Sequence, residues 1–95
     1  MHIQYMTMEV AEWIGPMLPG RSSFDTAIKL VEEASELLHA IHHDGDIGQE
    51  CADVLILLLD IAALHNIDLI GEFQRKMQIN REREWTPKQG TLTHK

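Results

Sequence analysis

Two acidic clusters stand out as residues able to do chemistry: Glu32-Glu33-Ala34-Ser35-Glu36 and Glu50-Cys51-Ala52-Asp53. Each sets carboxylates one helical turn apart. Fourteen positions run from Glu36 to Glu50, enough to finish one helix, turn and begin another. Two antiparallel helices can therefore aim four carboxylates at one point. Carboxylates that converge repel one another unless a cation sits between them, and an all-oxygen set suits a hard divalent ion such as Mg²⁺.

The helices that carry these acids bear on the choice between a metal cleft and a solvated face. At ~100° per residue, Glu32, Glu33 and Glu36 share an arc of about a quarter turn. Leu30, Ala34, Leu37 and Ile41 are expected roughly opposite, as on an amphipathic helix with an acidic outer face. The second cluster heads a different helix. Val54, Leu55, Ile56, Leu58, Leu59, Ile61 and Ala62 surround it on nearly every side, which predicts burial. Acids on such a helix need a compensating cation or a solvated cleft, because an unpaired buried carboxylate costs several kcal/mol. Asp60, two turns beyond Asp53 on nearly the same face, reads either as an outer ligand of the metal or, preferred at that distance, as a partner for an Arg or Lys from elsewhere. Lys76, Asn80 and Arg83 fall at i, i+4 and i+7, a stripe able to grip phosphate or merely a basic surface edge.

The spacing predicts four helices, over about 7–17, 22–43, 46–65 and 68–85. Gly15-Pro16 and Pro19-Gly20 break the first. Ser22 or Ser23, Asp46 and Asp68 cap the next three, and Asn66 suits a left-handed C-terminal cap. No segment alternates with period two, so no strand is expected. The class is all-α, a four-helix antiparallel bundle in a single domain, residues 1–95. Its core is 5–86, and 87–95 is a polar, loose tail.

With 95 residues and 44% hydrophobic content, a core is possible, but so short a chain often gains stability by oligomerising. A net charge of −7 argues against non-specific binding to nucleic acid or an anionic membrane. Cys51 is the only cysteine, so no intrachain disulfide forms, which fits a cytoplasmic protein. The N-terminus does not read as a signal peptide, and Val54–Leu59 is too short to span a bilayer.

Taken in order, Glu33-x-x-Glu36, Glu50-x-x-Asp53 and Lys76-x-x-x-Asn80-x-x-Arg83-x-Trp85 resemble the all-α nucleoside triphosphate pyrophosphohydrolases of the MazG type. The similarity runs from about Ala27 to Trp85, including Lys29-Leu30-Val31-Glu32-Glu33 and Ala52-Asp53-Val54-Leu55-Ile56. The resemblance implies a Mg²⁺-dependent hydrolase, with Mn²⁺ as a substitute, that cleaves an NTP or dNTP to a monophosphate and pyrophosphate in nucleotide-pool house-cleaning. It assigns Glu33, Glu36, Glu50 and Asp53 to the metal. Glu32, with Glu33, would orient the attacking water. Lys76, Asn80 and Arg83 would contact the triphosphate or sugar. It further implies a homodimer or homotetramer whose sites use more than one subunit.

Other residues invite weaker readings. Glu36-x-x-His39 lacks the second Glu-x-x-His of a di-iron bundle. His39 and His43 read as a surface pair, without the further ligands zinc needs. Trp13 either stacks on a nucleobase or packs into the core beside Val10, Ile14 and Met17. Trp85 reads as packing for the last helix, and Cys51 as a small apolar residue on a buried helix. The competing reading of the whole chain is a non-catalytic helical oligomerisation or nucleotide-binding regulatory module.

Overall fold

In the computed structural model, which describes residues 2–94, four helices are followed by a β-hairpin. They are α1 (Ile3–Ile14), α2 (Ser23–His42), α3 (Ile47–Leu64) and α4 (Leu69–Glu82). The starts of α2, α3 and α4 follow from side-chain caps. Ser22 accepts from the Phe24 N–H, Asp46 from Gln49 and Asp68 from Gly71, each satisfying a donor that the first turn leaves open. Asn66 closes α3 with φ 53°, the left-handed geometry its short amide side chain tolerates. The first helix starts earlier and ends earlier than the spacing predicts. Its last carbonyl turn is taken over by Gly15, whose N–H donates to the Ala11 carbonyl at 3.0 Å.

The α2–α3 pair is the centre of the molecule. The connection from His43 to Asp46 turns tightly through Asp44 at φ 55°, and the Gly45 N–H donates back to the Ala40 carbonyl at 2.7 Å. A Cβ on Gly45 would lie 3.1 Å from Ala40, so a small residue is needed where the chain doubles back. The two helices then run antiparallel along each other, and α1 packs on α3. By contrast, α4 leaves α3 at 105° and is not packed lengthwise along α1, α2 or α3. No single helix is long and apolar enough to cross a membrane among the described residues.

Two sequence expectations are corrected here. The seam of α2 that meets α3 contains Thr26, Leu30, Glu33, Leu37 and Ala40, all buried or half-buried. These positions recur at i, i+4, i+7, i+11 and i+14, one stripe of the helix. Glu33 thus belongs to the core-facing side, while Ala34 and Ile41 are exposed. The acids are not opposite the packed face; one of them is part of it. The other correction concerns the tail. Trp85–Lys88 and Thr91–His94 form an antiparallel pair, Trp85 facing His94. Gln89 and Gly90 both have positive φ, 52° and 79°, as a two-residue type I′ turn requires. Pro87 and the Gln-Gly turn obscure this pattern in the sequence, because Asn-Gly is the usual signal and proline usually demotes a strand.

The helix expected to be buried on most sides is covered where α2 and α1 pack on it and leaves apolar residues exposed elsewhere. Leu59, Asp60 and Ala62 are its buried residues, whereas Ile56, Leu58 and Leu64 are exposed. Of the apolar side chains, only Ala40, Leu59 and Ala62 are fully buried among the described residues.

Candidate metal centre and active site

Three carboxylates converge where α2 and α3 face each other. Glu33, Glu50 and Asp53 each place one oxygen within 4.8 Å of the other two, and all three are half-buried. The geometry is set by the elements: Glu33 sits on the α2 seam, and Glu50 with Asp53 spans the first turns of α3, opened by the Asp46 cap. Their mutual repulsion is visible at Glu50. Its carboxyl is held above its ordinary value of 4.5 by desolvation first, then by Asp53, Glu33, Glu36 and Asp46. A cluster of mutually repelling carboxylates is one that a hard divalent cation would stabilise. The donor set is all oxygen, which fits Mg²⁺ or Mn²⁺ rather than zinc.

Glu36 and Glu32 stand beside this trio, not within it. Both are exposed. Glu36 is close enough to raise Glu50, while Glu32 accepts from Lys29 at 3.3 Å. Lys29 also reaches Glu33 at 3.4 Å, and both acids hold its ammonium above the usual lysine range, Glu32 first.

Asp60 is fully buried and paired as expected. Arg21 Nε and Nη2 both donate to Asp60 Oδ1, at 2.9 and 2.7 Å, and Thr26 donates to Oδ2 at 3.2 Å. This cluster pins the chain between α1 and α2 to the middle of α3. It borders a cavity of about 340 Å³ that also takes in Ser22, Asp25, Lys29 and Leu57. Glu33, Glu50 and Asp53 do not line it, but Lys29, which reaches Glu33, does.

The Lys76–Asn80–Arg83 stripe is present on α4, but not against the acids of the same chain, because α4 does not pack along α2. Lys76 is exposed. Arg83 caps α4, with Nη1 3.5 Å from His94 Nε2. Asn80 is half-buried, and its Oδ1 has no hydrogen-bond partner, although its backbone carbonyl accepts from Trp85 Nε1 at 2.6 Å. Trp85 therefore packs at the root of the hairpin rather than in the last turn of a helix.

Trp13 is 62% exposed and not a core residue. It lines an apolar cavity of about 380 Å³ between α1 and α3 with Met6, Val10, Ala52, Leu55 and Ile56, and Glu9 is the one ionisable side chain there. Cys51 is exposed as well, because it faces away from the α2 seam. Sequence reasoning missed two residues of interest, Glu9 and Lys29. Their signals were available: Glu9 precedes Trp13 by one turn, and Lys29 precedes Glu32 and Glu33 by three and four positions. His39 and His43, and His42 and His43, make side-chain ring contacts, with centroids 4.3 and 4.7 Å apart. Among the described residues the three-acid group is the one that gathers three metal-ligating side chains.

Comparison with known proteins identifies relatives over most or all of the chain. No protein-family model matches the chain. It is similar to a dATP/dGTP diphosphohydrolase of Cyanophage S-2L, 44% identical over 78 residues, covering 81% of this chain and 71% of the relative. A second relative, a dATP/dGTP diphosphohydrolase of Salmonella phage PMBT28, is 40% identical over 76 residues; the match covers 80% of this chain but 25% of that protein. Among solved structures, a Cyanophage S-2L MazG-like pyrophosphohydrolase superposes with a TM-score of 0.90 at 38% identity, over 100% of this chain and 93% of the other. That protein was captured with dGDP and three catalytic Mn²⁺ ions per active site.

Proposed function

We propose a substrate and a division of labour from one premise: the chain belongs to the MazG-type family of all-α nucleoside triphosphate pyrophosphohydrolases. It is a hydrolase of phosphoanhydride bonds that converts a dNTP to a dNMP and pyrophosphate. The observation that carries this reading in the chain itself is the convergence of Glu33, Glu50 and Asp53. Glu33, Glu50 and Asp53 would hold the divalent ion, and Glu36, beside them, would join the set. Bound Mg²⁺, or Mn²⁺ in its place, supplies Lewis acidity and neutralises phosphate charge.

The chain's own groups do the remaining work. A water held by Glu32 and Glu33 attacks the α-phosphorus in line. The water oxygen bonds to phosphorus, its proton passes to a carboxylate, and the bond to the bridging oxygen breaks with its electron pair leaving on pyrophosphate. Lys76, Asn80 and Arg83 offset the charge of the triphosphate or hold the sugar. The splayed position of α4 supports delivery of this stripe to a neighbouring subunit's acids.

Exposure of Phe24, Val31, Leu38 and Phe73, each at 66% or more, supports a homodimer or homotetramer. Patches of this kind on a short chain mark an interface. The two relatives' names favour a purine deoxynucleotide, and the Trp13 cavity offers a face for its base. The Glu9 carboxylate can accept from the amino group of either purine. The exposed thiol of Cys51 suits the reducing cytoplasm, and removal of unwanted nucleotides is the role we assign. The net charge of −7 disfavours nucleic acid as a partner.

Incubation with each dNTP and NTP plus Mg²⁺, followed by pyrophosphate detection, tests this reading. Release from dATP or dGTP, abolished by EDTA, is expected. No release from any nucleotide would instead indicate a non-catalytic binding or oligomerisation module.

A further inference from the structure

We infer that Lys29 is an internal counter-cation of the metal centre, displaced from Glu33 when the ion enters and then free to bind the triphosphate. The inference rests on the metal-site reading above and gives a role to a residue outside the acid set. Its basis is that one ammonium bridges two different acids. Lys29 Nζ lies 3.3 Å from Glu32 and 3.4 Å from Glu33. Glu33 is one of the three converging carboxylates, with a side chain only 18% exposed. A bound ion and the Lys29 ammonium would both draw on the single negative charge of the Glu33 carboxylate. Without the ion, the lysine lowers the repulsion among the acids. With it, the like charges of ammonium and cation push the lysine outward.

The direction of that movement is set by the surroundings. Lys29 is 57% exposed, on a long stem with freely rotating bonds, so a change of partner costs little. It also lines the cavity shared with Arg21, Ser22, Thr26 and Leu57. Arg21 in that cavity is already committed to the buried Asp60. Lys29 is therefore the cation on this side of the cleft that can be released to an incoming phosphate. It lies on the same helix as Glu33, whereas Lys76 and Arg83 belong to the splayed α4. As a compact point charge with three donors, it suits a phosphate oxygen.

The experiment measures binding, not turnover, so it stands apart from the identity of the nucleotide hydrolysed. Mn²⁺ affinity of the full chain is measured by titration under paramagnetic resonance, first alone. Binding of a non-hydrolysable α,β-methylene analogue of dGTP to the Mn²⁺-loaded protein follows. Lys29→Met is expected to bind Mn²⁺ alone about 2- to 5-fold more tightly than wild type, the range of an exposed ion pair. The same variant is expected to bind the analogue about 10-fold more weakly. Lys29→Arg, which keeps the charge, should bind Mn²⁺ no more tightly than wild type. Opposite signs for the two ligands in Lys29→Met support the inference. Unchanged Mn²⁺ affinity, or unchanged analogue affinity, overturns it, as does Lys29→Arg behaving like Lys29→Met; a pair that only tethers the helix surface would shift the melting temperature alone. Failure of wild type to release pyrophosphate, with these binding shifts intact, would instead count against the proposed activity.

Discussion

At Glu50, helix position and site position act in opposite directions. The first turn of α3 offers a positive dipole end that favours a carboxylate, yet the carboxyl is raised, by desolvation and by Asp53, Glu33, Glu36 and Asp46. Like charges and lost water outweigh the dipole. Because the folded value exceeds the unfolded one, ionising Glu50 opposes folding. Its favourable contribution is complete below the unfolded value and is lost as pH rises through the folded one. Glu50→Gln in EDTA should therefore melt higher than wild type at neutral pH, with the gap closing as pH falls through the mildly acidic range. The same variant should retain only background pyrophosphate release. Thermal melts across pH, paired with the activity assay, check both. Trp13 tests the base cavity: with stacking at about 1–3 kcal/mol per base, Trp13→Ala should raise KM for a purine dNTP about tenfold with a smaller change in kcat.

Between elements, two short connections hold the acids in register. The Asp46 cap fixes where α3 begins, four residues before Glu50. Asp46→Ala should cost about 1 kcal/mol in urea unfolding. The Arg21–Asp60–Thr26 cluster ties the segment before α2 to the middle of α3. Arg21→Met leaves Asp60 charged, buried and short of its partner, and should cost about 3–5 kcal/mol. That approaches the whole stability of many small domains, so loss of cooperative unfolding at ambient temperature is the expected result. The first effect is local and legible in the sequence, whereas the second joins residues 39 positions apart, which local propensity cannot rank. The hairpin makes the same point: Trp85 leaves the helical path because its indole N–H finds the Asn80 carbonyl and its ring meets His94 edge-on at 5.1 Å.

For the molecule as a whole, apolar surface is the dominant unbalanced quantity. Phe73 on α4 is 66% exposed and lines an apolar groove with Ile3, Leu55, Leu58, Leu69 and Ile70. Phe73→Asp should shift the sedimenting species toward monomer and lower both activity and melting temperature, since an oligomer's stability depends on its association. Sedimentation velocity over a dilution series is the check. The sequence alone determined the caps at Asp46 and Asp68, a serine cap at 22 or 23, the four helices and the one-turn spacing of the acids within each cluster, because these depend on local hydrogen bonding and on a repeat of 3.6 residues. Tertiary structure decided that Glu33 belongs to the α2 seam while Glu32 and Glu36 remain outside, since the packed face depends on which stripe of α2 meets α3. It also decided that Asp60 takes Arg21, that Trp13 lines a cavity and that α4 turns away from the acids. Each of these joins residues distant in the chain, and contact between distant residues is set by how helices cross, which no local period encodes.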